Sequence, residues 1–205
     1  MITVIAGVNG AGKSSIAGKA LRKEGGEYFN PDEVARLLMN ENSSLIQHDA
    51  NAKAWKMGYG QLNDAISQNL DYSFETTLGG NSITECLLNA IQQGIQVRVF
   101  YCGLISVELH IERVKSRVLL GGHDIPKEMI HKRFTTSMHN MMRLLPGCYQ
   151  VNVYDNSAPL TKGKPEIKKL FCIKKGVFEI YETNMPNWAK PLAAKAIKAS
   201  QKTQT

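Results

Sequence analysis

Ile2-Thr3-Val4-Ile5-Ala6-Gly7-Val8-Asn9-Gly10-Ala11-Gly12-Lys13-Ser14-Ser15 is the stretch on which the fold turns. Its first five residues are apolar or β-branched, the pattern of a strand buried on both faces in a parallel sheet. The next eight, Gly7 to Ser14, match GxxxxGKS/T between a strand and a helix, the context that a phosphate-binding loop requires. Glycines let successive backbone N–H groups turn inward around a phosphate, and the following helix adds the positive end of its dipole. Lys13 then reaches the β- and γ-phosphates, and the Ser14 hydroxyl ligates Mg²⁺. The nucleotide-binding set read here is Gly7, Asn9, Gly10, Ala11, Gly12, Lys13, Ser14 and Ser15, with Ser14 as the metal ligand. A lysine and a hydroxyl in that register serve no packing purpose.

Outward from the loop, helices and strands alternate. Ile16, Ala17, Ala20 and Leu21 recur at helical spacing up to Gly25-Gly26. Glu27 to Phe29 reads as a brief strand. Asn30-Pro31-Asp32-Glu33 opens a helix through Leu38, with a cap, a proline at the first position and acids in the first turn. A long helix is expected over 52–70, with Trp55, Tyr59, Leu62, Ile66 and Leu70 on one side. Tyr72 to Thr77 is a strand, 83–93 a helix ended by Gly94, and Ile95 to Tyr101 a strand. Helices over 106–119 and 126–144 flank Gly121-Gly122-His123-Asp124-Ile125-Pro126, read as a mobile glycine-hinged connection. Tyr149 to Tyr154 is a fifth strand.

This alternation predicts a three-layer α/β fold of the P-loop NTPase type, with about five parallel strands and helices on both faces. Two short strands around Lys174-Lys175-Gly176 read as a small antiparallel hairpin at the C-terminal side. The expected organisation is a kinase-like domain over 1–160, the hairpin packed on it over 161–184, and a basic flexible tail over 185–205.

At 205 residues, with 43% hydrophobic and 21% charged residues, the composition is that of an ordinary globular protein. No apolar run approaches the roughly 20 residues needed to cross a bilayer, and the first residues lack the features of a signal peptide, so a cytoplasmic location without membrane partners is expected. Cys86, Cys102, Cys148 and Cys172 form no CxxC pair and read as buried thiols. The net charge of +7 is not spread along the chain: residues 1–160 carry 15 Lys/Arg against 15 Asp/Glu, and residues 161–205 carry 10 against 3. The basic excess therefore belongs to the C-terminal appendage. Its few aromatics, Trp188, Phe171, Phe178 and Tyr181, are too sparse for a stacking platform, which argues against nucleic acid as a partner.

Several further residues carry chemistry. Asp32 lies beyond the second strand, where ligands of open α/β sheets collect, and can face a γ-phosphate or simply support a helix start. Glu75, with Thr76 and Thr77, ends the third strand at the same edge, where an acid can hold a metal-bound water or a substrate hydroxyl. Arg113, Arg117 and Arg133 bracket the glycine-rich connection and can supply planar donors to a transferring phosphoryl group. His123, a lone loop histidine, stays outside the site. Asn156, in the loop after the fifth strand, is expected beside the adenine if that strand neighbours the first.

The phosphate loop, Phe29-Asn30-Pro31-Asp32-Glu33-Val34-Ala35, Phe74-Glu75-Thr76-Thr77 and the stretch from Glu112 to Phe134 together resemble the zeta-toxin family of P-loop kinases over about residues 1–160. The resemblance implies a nucleoside-kinase-like core that uses ATP or GTP and Mg²⁺ to phosphorylate a hydroxyl of a small molecule. In toxin members that molecule is a UDP-activated amino sugar, and a protein antitoxin enters as a candidate partner. Carried over by residue, Lys13 and Ser14 match the phosphate-loop pair, Asp32 the catalytic base and Glu75 the acid after the third strand. Arg117 and Arg133 are the nearest counterparts of the γ-phosphate arginines. On their positions in the chain, Asp32, Glu75, Thr76, Thr77 and Arg113 are assigned to the acceptor side. The competing expectation is a nucleotide-dependent regulatory ATPase with an RNA or protein partner.

Overall fold

A computed structural model describes residues 1–15, 26–159 and 166–202. The first strand is β1 (Ile2–Ala6), every residue of which is buried. It is followed in the sheet by β2 (Tyr72–Thr76), β3 (Val97–Gly103), β4 (Gln150–Asp155), β5 (Lys168–Lys174) and β6 (Val177–Ile180). The sheet order is β2-β1-β3-β4-β5-β6. The first four strands are parallel, with Val4 opposite Phe74 on one side and Val99 on the other, and β5 and β6 add antiparallel. The α/β class with its C-terminal hairpin is therefore as the sequence predicts. The hairpin turn, Lys175 and Gly176 at φ 49° and 75°, has the two positive φ values of the turn that matches strand twist.

The expected strand over 27–29 shrinks to one parallel bridge, Phe29 with Phe74. The expected helix after the phosphate loop falls largely on 16–25, outside the described residues. The remaining helices are α1 (Pro31–Glu41), α2 (Gln47–Ser67), α3 (Asn81–Gln92), α4 (Val107–Leu119), α5 (Lys127–Leu144) and α6 (Lys190–Lys202). Alternate residues Ile2, Val4, Val97, Val99, Tyr101, Val151, Val153, Phe171 and Ile173 form the strand side of the main core, and Leu62, Leu87, Met141, Leu144 and Leu192 pack onto it from helices.

Two expectations are corrected here. In α2 the buried face is Ala50, Ala54, Leu62 and Ala65, whereas Trp55 and Leu70 are exposed. Small residues at Ala35, Ala50 and Ala54 let α1 and α2 approach closely, which turns Trp55 outward to stack on Tyr59. The tail expected from 185 instead carries a docked turn and helix α6: Trp188 and Ala189 before the helix, and Leu192, Ala193 and Ala196 within it, are all in the main core. The i, i+3, i+4, i+7 spacing from Ala189 buries a narrow stripe, and Lys190, Lys195 and Lys198 lie exposed outside it. Among the described residues, no helix is long and apolar enough to cross a membrane.

Candidate active site

The phosphate loop starts where β1 leaves the sheet. Gly7, Gly10 and Gly12 take φ of 140°, 82° and 83°, values that L side chains rarely adopt. Close approach adds to the requirement: a Cβ on Gly7 would stand 2.2 Å from the Cys102 carbonyl oxygen, and one on Gly12 would stand 2.4 Å from Asn156 Nδ2. Ala11, fully buried, closes the turn by donating its N–H to the Val8 carbonyl at 3.1 Å, and Ser15 N–H donates to the Gly12 carbonyl at 3.0 Å.

Lys13 and Ser14 converge on one carboxylate. Lys13 Nζ lies 3.4 Å from Glu75 Oε1, with both side chains nearly buried (7% and 10% exposed). Ser14 Oγ donates to Glu75 Oε2 at 2.9 Å. Glu75 reaches them because β2 lies directly beside β1, pairing Ile5 with Glu75. A buried ammonium needs such a partner, and an arriving phosphate can take it over. Cys102, under the loop, has its thiol pushed up to about 12 by burial, with opposing contributions from Lys13 and Glu75, so it is a neutral packing residue.

Asp32 sits in the first turn of α1, but the cap is Asn30, whose side chain accepts from the N–H groups of Asp32 at 3.0 Å and Glu33 at 3.4 Å. Asp32 is therefore not the cap, although with Glu33 it stands in the acidic first turn. It lies 3.6 Å from Arg117 NH1 and 3.9 Å from His123 Nε2, with 41% of its side chain exposed. His123, which the sequence reading leaves outside the site, thus lies near Asp32. Arg117 also donates to the His123 carbonyl at 3.0 Å and is folded tightly over Gly122, where a Cβ would come within 2.7 Å of Arg117 Cγ.

The glycine-rich connection is a helix cap. Gly121 N–H donates to the Val118 carbonyl and Gly122 N–H to the Arg117 carbonyl, with Gly121 left-handed, the paired bonds that terminate a helix. The three arginines separate. Arg117 faces Asp32. Arg133 donates from NH1 to Asn9 Oδ1 at 2.7 Å, and burial lowers its pKa while the Asp32 charge opposes this, so it is fastened to the phosphate loop. Arg113 donates to the Ala158 carbonyl at 3.0 Å, in the segment after β4.

Thr76 and Thr77 turn their hydroxyls back on their own loop, accepting from Leu78 N–H at 3.1 Å and Gly79 N–H at 3.3 Å. That loop is over-determined: Leu78 is left-handed at φ 51°, and Asn140 and Thr136 of α5 donate to the Leu78 and Gly79 carbonyls. Asn156 does reach the phosphate loop, but the stated reason fails. β4 is two strands from β1, with β3 between them. Asn156 gets there by crossing the end of β3, its N–H on the Gly103 carbonyl and its Nδ2 on the Ala11 carbonyl at 3.0 Å. Sequence reasoning missed His110, 1% exposed, whose Nδ1 lies 2.8 Å from the Asn9 carbonyl oxygen. Its only signal is position: it shares the apolar face of α4 with Val107, Ile111, Val114 and Val118.

A parallel sheet with a GxxxxGKS/T loop at the end of β1, an acid at the end of β2 and arginines from two following helices defines a P-loop protein of the kinase-like type. A zeta toxin family model matches residues 1–159, and the chain belongs to that family. An uncharacterized protein of Haemophilus influenzae is 32% identical over 129 residues, 62% of this chain and 88% of that one. The structure of AvrRxo1-ORF1:-ORF2 with ATP is similar at TM-score 0.68 and 14% identity, over 99% of this chain and 76% of the other. The PezAT chromosomal toxin-antitoxin system of Streptococcus pneumoniae is similar at TM-score 0.53 and 13% identity, over 100% and 85%. At these identities the two structures show a shared fold.

Proposed function

We propose that this protein transfers the γ-phosphoryl group of ATP, or GTP, to a hydroxyl of a small molecule, with a UDP-activated amino sugar as the first acceptor class to assay. The observation that carries the reading is the meeting of Lys13, Ser14 and Glu75 at the C-terminal ends of β1 and β2, with Asp32 facing the same edge. The loop N–H groups and Lys13 bind the phosphates, a positive cradle for charge that develops during transfer. Arg133, anchored on Asn9 of the phosphate loop, is the arginine assigned to the γ-phosphate. Asp32 accepts the acceptor hydroxyl proton, and Arg117 orients its carboxylate.

The donor set also fits Mg²⁺. A hydroxyl and a carboxylate 2.9 Å apart are the hard oxygen ligands that this ion takes alongside substrate phosphates, so Ser14 and Glu75 would hold it. Mg²⁺ supplies charge neutralisation on the phosphate oxygens. Support for a protein partner comes from the PezAT structure, described as a toxin-antitoxin system, and from membership of the family.

Incubation with γ-labelled ATP, Mg²⁺ and a panel of sugar nucleotides, nucleosides and small alcohols tests the reading. Label on an organic acceptor supports it. Label found only as free phosphate across the panel counts against transfer.

A further inference from the structure

We infer that His110 is a positioning residue that, together with Asn156, builds the phosphate-binding shape of the loop by drawing two of its carbonyl groups outward. The inference rests on the phosphate-binding reading of that loop and concerns how its N–H groups become available.

A trans peptide is planar, with its C=O and N–H pointing in opposite directions. The chain contains no cis peptide among the described residues. Whatever fixes a loop carbonyl on one side therefore aims the next N–H to the other. His110 Nδ1 lies 2.8 Å from the Asn9 carbonyl oxygen, and a carbonyl oxygen can only accept, so Nδ1 carries the proton. That bond turns the Asn9–Gly10 peptide toward α4 and sends the Gly10 N–H the opposite way. Asn156 Nδ2 does the same to the Ala11 carbonyl at 3.0 Å and so aims the Gly12 N–H. Both clamps are almost fully buried, at the two flanks of the loop, and neither side chain is part of it.

Four further observations fit. Gly10, at φ 82°, is pressed so closely against α4 that a Cβ would stand 2.8 Å from the His110 carbonyl oxygen, which fixes the distance over which the imidazole acts. The imidazole packs edge-on against Phe134 of α5 at 5.7 Å between ring centres, which fixes its plane. Burial pushes the His110 pKa down to about 4, so it stands as a neutral donor at physiological pH and adds no charge of its own to the cradle. The same Asn9 accepts from Arg133 through its side chain, so an Asn9 peptide that turns also moves the acceptor on which Arg133 rests.

The test compares His110→Leu, His110→Asn and Asn156→Leu with wild type, by calorimetric binding of ADP and of inorganic tripolyphosphate, each with Mg²⁺. Loss of one inward N–H on an anion is worth about 10–100-fold in affinity. His110→Leu and Asn156→Leu are expected to weaken both ligands by that factor, and by the same factor, because the damage lies in the phosphate cradle. In His110→Asn the side-chain amide can donate from nearly the place of Nδ1, so binding is expected to return to within about threefold of wild type. Tripolyphosphate binding unchanged in His110→Leu while ADP weakens would overturn the inference. So would a lowered melting temperature with both affinities intact, the mark of a histidine that only packs. If His110→Leu fails to fold, His110→Asn and Asn156→Leu decide: failure of His110→Asn to bind while folded, or wild-type binding by Asn156→Leu, overturns it. Wild-type protein that binds neither ligand would instead remove the phosphate-loop reading itself.

Discussion

Trp188 ties the C-terminal segment to the site, and its removal has a calculable cost. The indole lies flat on Gly103 at the end of β3, where a Cβ would stand 2.4 Å from Trp188 Cη2, and its Nε1 donates to Asp155 Oδ1 at 2.9 Å. Asp155 in turn accepts from the Ser157 hydroxyl at 2.6 Å, which brackets Asn156 between two fixed neighbours. Truncating a buried tryptophan costs about 3–5 kcal/mol. Trp188→Phe, which keeps a ring over Gly103 and loses the N–H donor, is expected to cost about 1–3 kcal/mol, the worth of a hydrogen bond to a charged group and some lost volume. Urea unfolding followed by far-UV circular dichroism reads both as a shift in midpoint at constant slope. ADP affinity should also fall in the alanine variant, because Asn156 loses its lateral support. A loss below about 1 kcal/mol in Trp188→Ala would show that the segment is undocked, as its charge pattern alone suggested, and would sink this account of the C-terminus.

Three more outcomes are expected. Asp32→Asn should lower single-turnover transfer by about 10²–10⁴ while shifting stability by about 1 kcal/mol or less, since Asn30 supplies the cap and the Asp32–Arg117 pair is substantially exposed; a melting shift with transfer intact would leave Asp32 a helix-start residue. Gly12→Ala should weaken ADP by more than about tenfold, through a left-handed φ and a clash with Asn156, and wild-type affinity in that variant would contradict the loop geometry. Stability should fall in acid partly through His110: its folded pKa of about 4 lies below the ordinary 6.5, so the unfolded chain binds the proton first and stability drops as pH falls through that window. The term approaches about 3 kcal/mol at pH 4, and wild type minus His110→Asn should show it in unfolding between pH 7 and 4; parallel curves would refute it.

The residues that act through their backbone were the most legible. GxxxxGKS/T after a buried strand leaves one fold type, and Lys175-Gly176 names its own turn, because both are demands on φ that few residues meet. The glycines at 121 and 122 were legible as a break: a sequence shows that a helix stops there, and only the carbonyls of Arg117 and Val118 show how the stop is satisfied. The arginines were legible as a cluster, and their separate directions were not. Their directions depend on helix phase and on which carbonyl or carboxylate each one meets, and so Arg113, Arg117 and Arg133 part company. At the C-terminus, ten basic residues drew attention from four small apolar ones on a single stripe. His110 left almost no trace, since a histidine on an apolar face has the same pattern whether it clamps a loop or merely fills space.

The central claim is phosphoryl transfer through this loop, and one comparison tests it most directly. Wild type and Lys13→Ala are given γ-labelled ATP, Mg²⁺ and the acceptor panel, and labelled organic product is measured against labelled free phosphate. Lys13 is the ammonium held ready by Glu75 for the β- and γ-phosphates, so wild type should form a labelled organic product and Lys13→Ala should form none. Equal product from both proteins, or free phosphate alone from wild type, would contradict it.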